Sequence, residues 1–237
     1  GQLQAIIEGF FSYAGASGWS YPSIVGCGEN ATILHYTVNN EDCHDGEVIL
    51  IDAGAEYRGY ASDITRSWPI SGKFTEAQQE IYSLVLKSQE AAIAACKVGN
   101  PYTAPHDEAR RVLAEGLIEL GIISQTLDDA LDPMNGELRN WYMHNTSHWI
   151  GLDVHDVGVY KPGGAPRMLE SGMCLTVEPG LYFGAWRPDV DCPERYANIG
   201  IRIEDDVLVT ENGPVVLTSA CPKTVDDIQS IVGQPLS

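Results

Sequence analysis

The spacing of apolar residues changes several times along this 237-residue chain. LQAIIEGFFSYAG, at residues 3–15, has helical spacing and predicts a helix that ends at a glycine. The next runs, SIVGCG and TILHYTV, are typical of short strands. EVILIDAGAEYRGYASDITRSWPI then predicts a long β-hairpin between Gly46 and Gly72.

Helical spacing returns at Thr75, which forms a capping box with Gln78 and opens a long amphipathic helix that we expect to stop at Gly99. A second helix is predicted at about 105–121, followed by an irregular stretch at 122–145. Strand-like runs come next, in MCLTVEPGLYF and IGIRIEDDVLVTENG, and TVDDIQSIV predicts a short helix near the end. This mixed order predicts an α+β fold with a curved antiparallel sheet flanked by helices.

Composition narrows the possible functions. The apolar content of 44% is ample for a sizeable core, and 33 acidic against 14 basic residues give a net charge of −19. Nucleic acid is therefore not an expected partner, because phosphate binding needs a basic surface. The charge is explained best as a solubility surface, although its field also favours cationic ligands such as metal ions. No apolar run approaches the ~20 residues of a membrane span.

The six cysteines are scattered and form no C-x-x-C pair. In a chain of this size, the pattern predicts reduced thiols and a cytoplasmic location in preference to disulfides.

The hairpin places carboxylates on one face. If Arg58 and Gly59 form its turn, Asp52 lies opposite Thr65, and Asp63 is a diagonal neighbour of Asp52 on the same face. Two carboxylates among apolar strand residues repel each other unless a cation lies between them. A solvent-facing side of the hairpin explains the same pattern, and the hairpin alone does not decide between the two.

The later strands repeat this alternation. Glu178 ends a run whose alternate residues are apolar, and Arg202 and Glu204 share the face opposite two isoleucines. An exposed strand with a surface Arg–Glu pair is the alternative. Asp205 and Asp206, which follow directly, are expected to be turn residues.

HNTSHWIGLDVHD, at 144–156, holds three of the six histidines of the chain. A lone histidine is more often a core or surface residue than a ligand, but His148 has the right chemistry to complete a set of four carboxylates. Such a hard, oxygen-rich set suits Mn²⁺, Fe²⁺ or Co²⁺ better than a thiolate zinc site. Four negative ligands nearly balance two divalent ions ~3.5–4 Å apart, which can activate a bridging water for hydrolysis.

Four segments carry a family resemblance. ILIDAGAEYRGYASDITRSWP, HNTSHWIGLDVHDVGVY, LTVEPGLY and GIRIEDDVLVT are similar to the signatures of dinuclear metallopeptidases with the pita-bread fold. The likeness is closest to the Xaa-Pro aminopeptidase (aminopeptidase P) branch, with prolidase next, and runs from about residue 3 to about residue 228. Methionine aminopeptidases share the five-ligand plan, but SHWIGLDVHD favours the proline-directed branch. Creatinases have the fold without the ligands.

The resemblance implies roles for individual residues. Asp52 and Glu204 would bridge the two metals, and Glu178 would also accept a proton from the metal-bound water. His35 would stabilise the oxyanion, and His155 would contact the substrate on the proline side. Without the resemblance, structural roles explain His144 and His155 better. The implied metal ligands are Asp52, Asp63, His148, Glu178 and Glu204, the implied catalytic residues are His35, His155 and Glu178, and the implied substrate-binding residues are Tyr21, His144 and Arg202.

The expected reaction is hydrolysis of an N-terminal Xaa-Pro peptide bond by a hydroxide that two divalent metals activate. Mn²⁺ is the expected ion, with Co²⁺, Fe²⁺ and Zn²⁺ as alternatives, and the expected substrates are peptides with proline at the second position. The first alternative is a prolidase, which accepts only dipeptides. The second is a non-catalytic pita-bread module that binds protein or RNA.

The resemblance also bears on domain organisation. It implies one catalytic domain over 1–237, without the separate N-terminal domain that members of the family carry. The first helix would then lack cover on its apolar face, and a homo-oligomer is a possible consequence.

Overall fold

The computed structural model describes residues 1–234, so the last three residues of the predicted domain lie outside the described part. Within that part, short 3-10 turns accompany five α-helices. The helices are α1 Gln2–Tyr13, α2 Glu76–Ala95, α3 Ala104–Glu119, α4 Leu127–Ala130 and α5 Val225–Ile231.

The strands form antiparallel ladders throughout. Two sheets have three strands, in the orders β2-β3-β5 and β10-β9-β6, and two smaller ladders pair β1 with β4 and β7 with β8. The predicted antiparallel α+β fold is confirmed, with the sheet divided into these short ladders. The strands are β1 Gly18–Trp19, β2 Ile24–Cys27, β3 Val48–Asp52, β4 Ala55–Glu56, β5 Thr65–Pro69, β6 Cys174–Val177, β7 Gly180–Tyr182, β8 Gly200–Arg202, β9 Asp205–Thr210 and β10 Gly213–Val216.

Helices α2 and α3 cover the strands. The predicted capping box of α2 is present, since the Thr75 side chain accepts from the Gln78 backbone and the Gln78 side chain accepts from the Thr75 N–H. Buried α2 and α3 residues, among them Ile81 and Leu113, pack in one cluster with Leu181 and Ile201 of β7 and β8. The helices therefore support the strands that carry the later carboxylates.

The hairpin has the register that the sequence predicts. Asp52 pairs with Thr65, and Arg58 and Gly59 form the turn with φ of 55° and 83°. The carboxylate face is the more buried one, because Asp63 is 5% exposed while Ile51 is only half-buried. The solvent-facing alternative for the hairpin is therefore wrong.

Two local predictions are also wrong. TILHYTV is not a strand: a 3-10 helix at Gly28–Thr32 leads into an irregular loop. Its alternation arises because Leu34 and Tyr36 pack against a small core cluster without a partner strand. Asp205 and Asp206 are not turn residues but begin β9, where both are buried.

The cysteine prediction needs a correction. Cys27 and Cys43 form a disulfide, whereas Cys96, Cys174, Cys192 and Cys221 are free. The two bonded residues are 16 apart in sequence, and the fold returns the loop after β2 to the end of that strand. Spacing alone did not reveal this approach.

Helix α1 contains no buried residue, and its apolar side chains Leu3, Ile6, Phe10 and Tyr13 are exposed. The expectation of an uncovered apolar face agrees with this exposure, while self-association stays a prediction. No helix within residues 1–234 has the length and apolar character needed to span a membrane.

Candidate metal centre and active site

The side chains predicted for the site meet in one cavity of about 710 Å³. The β3–β5 hairpin supplies two carboxylates, the turn after β6 and the residues around β8 supply the others, and the 144–156 segment supplies imidazoles. All of the predicted residues line this cavity, namely Tyr21, His35, Asp52, Asp63, His144, His148, His155, Glu178, Arg202 and Glu204.

The ligand-type atoms lie close together. His148 Nε2 is 3.4 Å from Asp63 Oδ2 and 3.6 Å from Glu178 Oε1. One ligand atom from each of Asp63, His148 and Glu204 lies within 4.8 Å of the others. The Tyr21 hydroxyl contacts both Asp52 and Asp63. The geometry therefore brings carboxylate oxygens and one imidazole nitrogen to a common point.

His148 is oriented as a ligand would be. Its Nδ1 lies 3.0 Å from the Trp149 carbonyl oxygen, which can only accept, so Nδ1 carries the proton. Nε2, on the other side of the ring, faces Asp63 and Glu178. A backbone carbonyl that fixes the imidazole in this way is typical of metal-binding histidines.

The carboxylates outnumber the positive charge beside them. Burial, followed by repulsion from neighbouring carboxylates, raises the pKa of Asp63, Glu178 and Glu204 well above the usual range. Arg202 is the cation that faces them, and its guanidinium pairs with Asp52 at 2.7 Å. A divalent cation would relieve the remaining repulsion, so the donor set fits a metal centre.

Arg202 belongs to a buried hydrogen-bond network. Its Nε donates to Thr65 Oγ1 at 3.1 Å and its NH1 donates to the Tyr182 hydroxyl at 3.0 Å. That hydroxyl lies 2.8 Å from His144 Nε2. Burial, and then the charge of Arg202, lower the pKa of His144 to about 3, so this imidazole is neutral.

The two remaining histidines are at the open side of the cavity. His155 is exposed, and its ring meets the His148 ring edge-on with 4.4 Å between centroids. Burial of part of the ring, and then His148, lower its pKa. His35 is also exposed and lies in the loop between β2 and β3.

Sequence reasoning missed two supporting residues. Tyr182 links Arg202 with His144, and Asp206 accepts the backbone N–H of Asp63 at 3.1 Å through its carboxylate. Tyr182 lies in an apolar strand whose pattern predicts a core residue, and Asp206 belongs to the acidic pair that was predicted to be a turn. Only the pairing of the strands reveals their positions.

Comparisons with known proteins agree with this geometry. Residues 1–211 match the model of metallopeptidase family M24. The chain is 46% identical over 230 residues to Xaa-Pro aminopeptidase of Escherichia coli K12 and 48% identical over 213 residues to that of Haemophilus influenzae. These alignments cover 97% and 90% of this chain but 51% and 48% of the relatives, so the chain spans about half their length.

Solved structures give the same result. The aminopeptidase PepP of Pseudomonas aeruginosa superposes with a TM-score of 0.92 at 44% identity, over 98% of this chain and 51% of that one. The aminopeptidase P of Escherichia coli superposes with a TM-score of 0.90 at 46% identity and the same coverage. The fold is therefore the pita-bread fold of aminopeptidase P, and the chain belongs to metallopeptidase family M24. The family implies divalent metal ions, in agreement with the donor set of the cavity.

Proposed function

We propose that this domain hydrolyses the bond between an N-terminal residue and a following proline, with two divalent ions, Mn²⁺ by preference, as cofactors. The observation that carries the proposal is the convergence of Asp52, Asp63, His148, Glu178 and Glu204 in one cavity. These five side chains would hold the ions. When bound, the ions supply an acidified water and an electrophile for the scissile carbonyl.

Glu178 is suited to move the proton in this reaction. It directly follows β6, is half-buried, and has a pKa that burial and the nearby Glu204 raise. A carboxyl with a raised pKa can accept a proton and return it near neutral pH. We assign to Glu178 the transfer of the proton to the prolyl nitrogen that leaves.

The other cavity residues would position the substrate. His35 would donate to the developing oxyanion, a contact worth ~3 kcal/mol in such sites. His155 would contact the substrate on the proline side, and neutral His144 would line the proline pocket with Tyr21. Arg202 holds Asp52 and so sets the orientation of one bridging ligand.

The names of the relatives support this assignment, since the matched proteins from Escherichia coli and Haemophilus influenzae are Xaa-Pro aminopeptidases. Prolidase activity is the alternative within the enzyme class. A non-catalytic module is disfavoured because none of the five ligand-type side chains is missing. A cytoplasmic location stays a prediction.

A substrate series with metal-reconstituted protein tests the proposal. We expect hydrolysis of Ala-Pro-Ala and longer Xaa-Pro peptides, none of Ala-Ala-Ala, and about two metal ions per chain by elemental analysis. Asp63→Asn is the matched control, and it should lose both metal and activity. Cleavage of Ala-Pro alone would indicate a prolidase, and a metal-free protein without hydrolysis would refute the proposal.

A further inference from the structure

The Cys27–Cys43 disulfide closes the loop that carries His35. Cys27 is the last residue of β2, and Cys43 lies five residues before β3 begins at Val48. His35 is at the midpoint of the closed loop, eight residues from each cysteine. Leu34, His35 and Thr37 of this loop line the cavity.

The loop has few other anchors. Residues 33–47 contain no helix or strand, and most of their side chains are exposed. The buried Asn39 is one anchor, since its amide accepts from the Val25 N–H and donates to the Ser23 carbonyl, both at 2.8 Å. Leu34 and Tyr36 pack on a small cluster.

Beyond Asn39, the disulfide and two hydrogen bonds of Gly46 restrain the loop. The Gly46 N–H donates to Ser71 Oγ and its carbonyl accepts from Gln78 Nε2, both at 2.7 Å. Residues 40–42 and 44–46 are exposed, whereas Cys43 packs against a cluster that contains Val25, Cys27 and Ile49. Removing the covalent link would give the loop more conformations, because a cross-link restricts chain entropy over the segment that it closes. His35 itself is exposed, between the packed side chains of Leu34 and Tyr36.

We propose that the Cys27–Cys43 disulfide is a redox-sensitive tether that positions His35 at the cavity, and that its reduction lowers turnover without loss of metal. The proposal rests on the proposed function, in which His35 donates to the oxyanion. Cys27 and Cys43 are positioning residues here, since they act only through His35.

Reduction of the Cys27–Cys43 disulfide requires a dithiol reductant. Cys43 is the more accessible sulfur, because Cys27 is buried. A thiolate of the dithiol attacks the Cys43 sulfur, the S–S bond breaks, and the Cys27 sulfur leaves as a thiolate and takes up a proton. The second thiolate of the dithiol then releases Cys43, so two protein thiols form while the dithiol is oxidised to its own disulfide.

Kinetics of the oxidised and reduced enzyme test the tether. The metal-loaded protein is reduced with dithiothreitol, desalted under nitrogen, and compared with the untreated protein and with the Cys27→Ser/Cys43→Ser variant. We expect kcat to fall about fivefold in both altered forms, with KM within about twofold and metal content unchanged, because a positioned donor loses its alignment. Cys192→Ser, which removes a free thiol elsewhere, is the control and should leave kcat unchanged.

Two further measurements separate positioning from general stability. In a His35→Ala background, reduction should have no additional effect on the residual kcat, because the tether acts through the missing side chain. Hydrogen exchange should become faster in peptides from 33–47 on reduction and stay unchanged in α2 and α3.

Each outcome has one meaning. Alkylation of the untreated, denatured protein should label four of its six cysteines. Labelling of all six would show that the disulfide is absent and would overturn the proposal of a tether. Equal kcat for oxidised and reduced enzyme, or an equal loss in the His35→Ala background, would overturn the tether while leaving the proposed function intact. Absence of Xaa-Pro hydrolysis in the oxidised, metal-loaded protein would instead overturn the proposed function.

Discussion

Glu204 and Asp205 are neighbours in the chain, yet their buried carboxylates lie in opposite electrostatic surroundings. Asp205 accepts from Arg66 at 2.8 Å and from Lys223 at 2.7 Å. Glu204 faces the cavity, where the Thr65 hydroxyl donates to it at 2.5 Å and Asp63 lies nearby. Asp205 thus pairs directly with two cations, while Glu204 has a neutral donor and further acids, with Arg202 as the nearby cation.

The pKa shifts follow from these surroundings. Burial alone would raise the pKa of Asp205, but Arg66 and Lys223 outweigh burial and lower it. At Glu204, burial and the charges of Asp63 and Asp52 raise the pKa and outweigh Arg202 and the Thr65 hydroxyl, which lower it. A buried acid with cations supplied by the protein is a structural element, whereas a buried acid among other acids needs a cation from outside.

The largest effect should come from removing a carboxylate of the cavity. We predict that Glu204→Gln lowers kcat/KM for an Xaa-Pro peptide by on the order of 10³-fold or more, because the loss of a proposed metal ligand would disrupt the metal centre. Metal content by elemental analysis should fall in parallel. The free energy of unfolding of the metal-free protein, from denaturant titration, should stay the same or increase, because the substitution removes like-charge repulsion.

A Glu204→Gln protein that keeps two metals and normal turnover would contradict the ligand assignment. Marked destabilisation in the absence of metal would show instead that Glu204 resembles Asp205 and supports the fold.

Substitution of the neighbouring Asp205 should instead lower the stability of the metal-free protein. We predict that Asp205→Asn lowers the free energy of unfolding by about 3–5 kcal/mol, because the buried Arg66 loses its charged partner. Denaturant titration of the metal-free protein measures this loss. Asp45→Asn, an exposed acid in a loop, is the control and should change stability by about 0.5 kcal/mol or less. A stability equal to that of the parent protein would show that the ion pairs around Asp205 contribute nothing.

Glu204 and Asp205 also show which features of the structure can be predicted from the sequence. Period-two alternation, together with the Arg58–Gly59 turn, correctly predicted that Asp52 lies opposite Thr65. Local chemistry also predicted the cap of α2 at Thr75. These features depend on neighbours within one or two elements, where the pattern of side chains carries the information.

Features that depend on distant partners could not be predicted in this way. Asp205 can be buried because Arg66 and Lys223 pair with it. Both cations lie outside its own strand, and no spacing pattern in the sequence marks either of them. Cys27 and Cys43 likewise meet only because the loop returns to β2. The ligand set was recognised through family resemblance, since the strands alone left an exposed face as an alternative.

The last expected effect concerns the imidazoles of His35 and His155 at the mouth of the cavity, which belong to neither class of buried acid. We predict that His35→Ala and His155→Ala each lower kcat by on the order of 10²-fold, because each removes a contact to the transition state and no metal ligand. Both residues are exposed, so stability and metal content should not change. His44→Ala, an exposed histidine of the same loop outside the cavity, is the matched control and should keep full turnover. Near-normal kcat in both variants would confine catalysis to the carboxylates and His148, whereas loss of metal in His155→Ala would mean that its contact with the His148 ring holds that ligand in place.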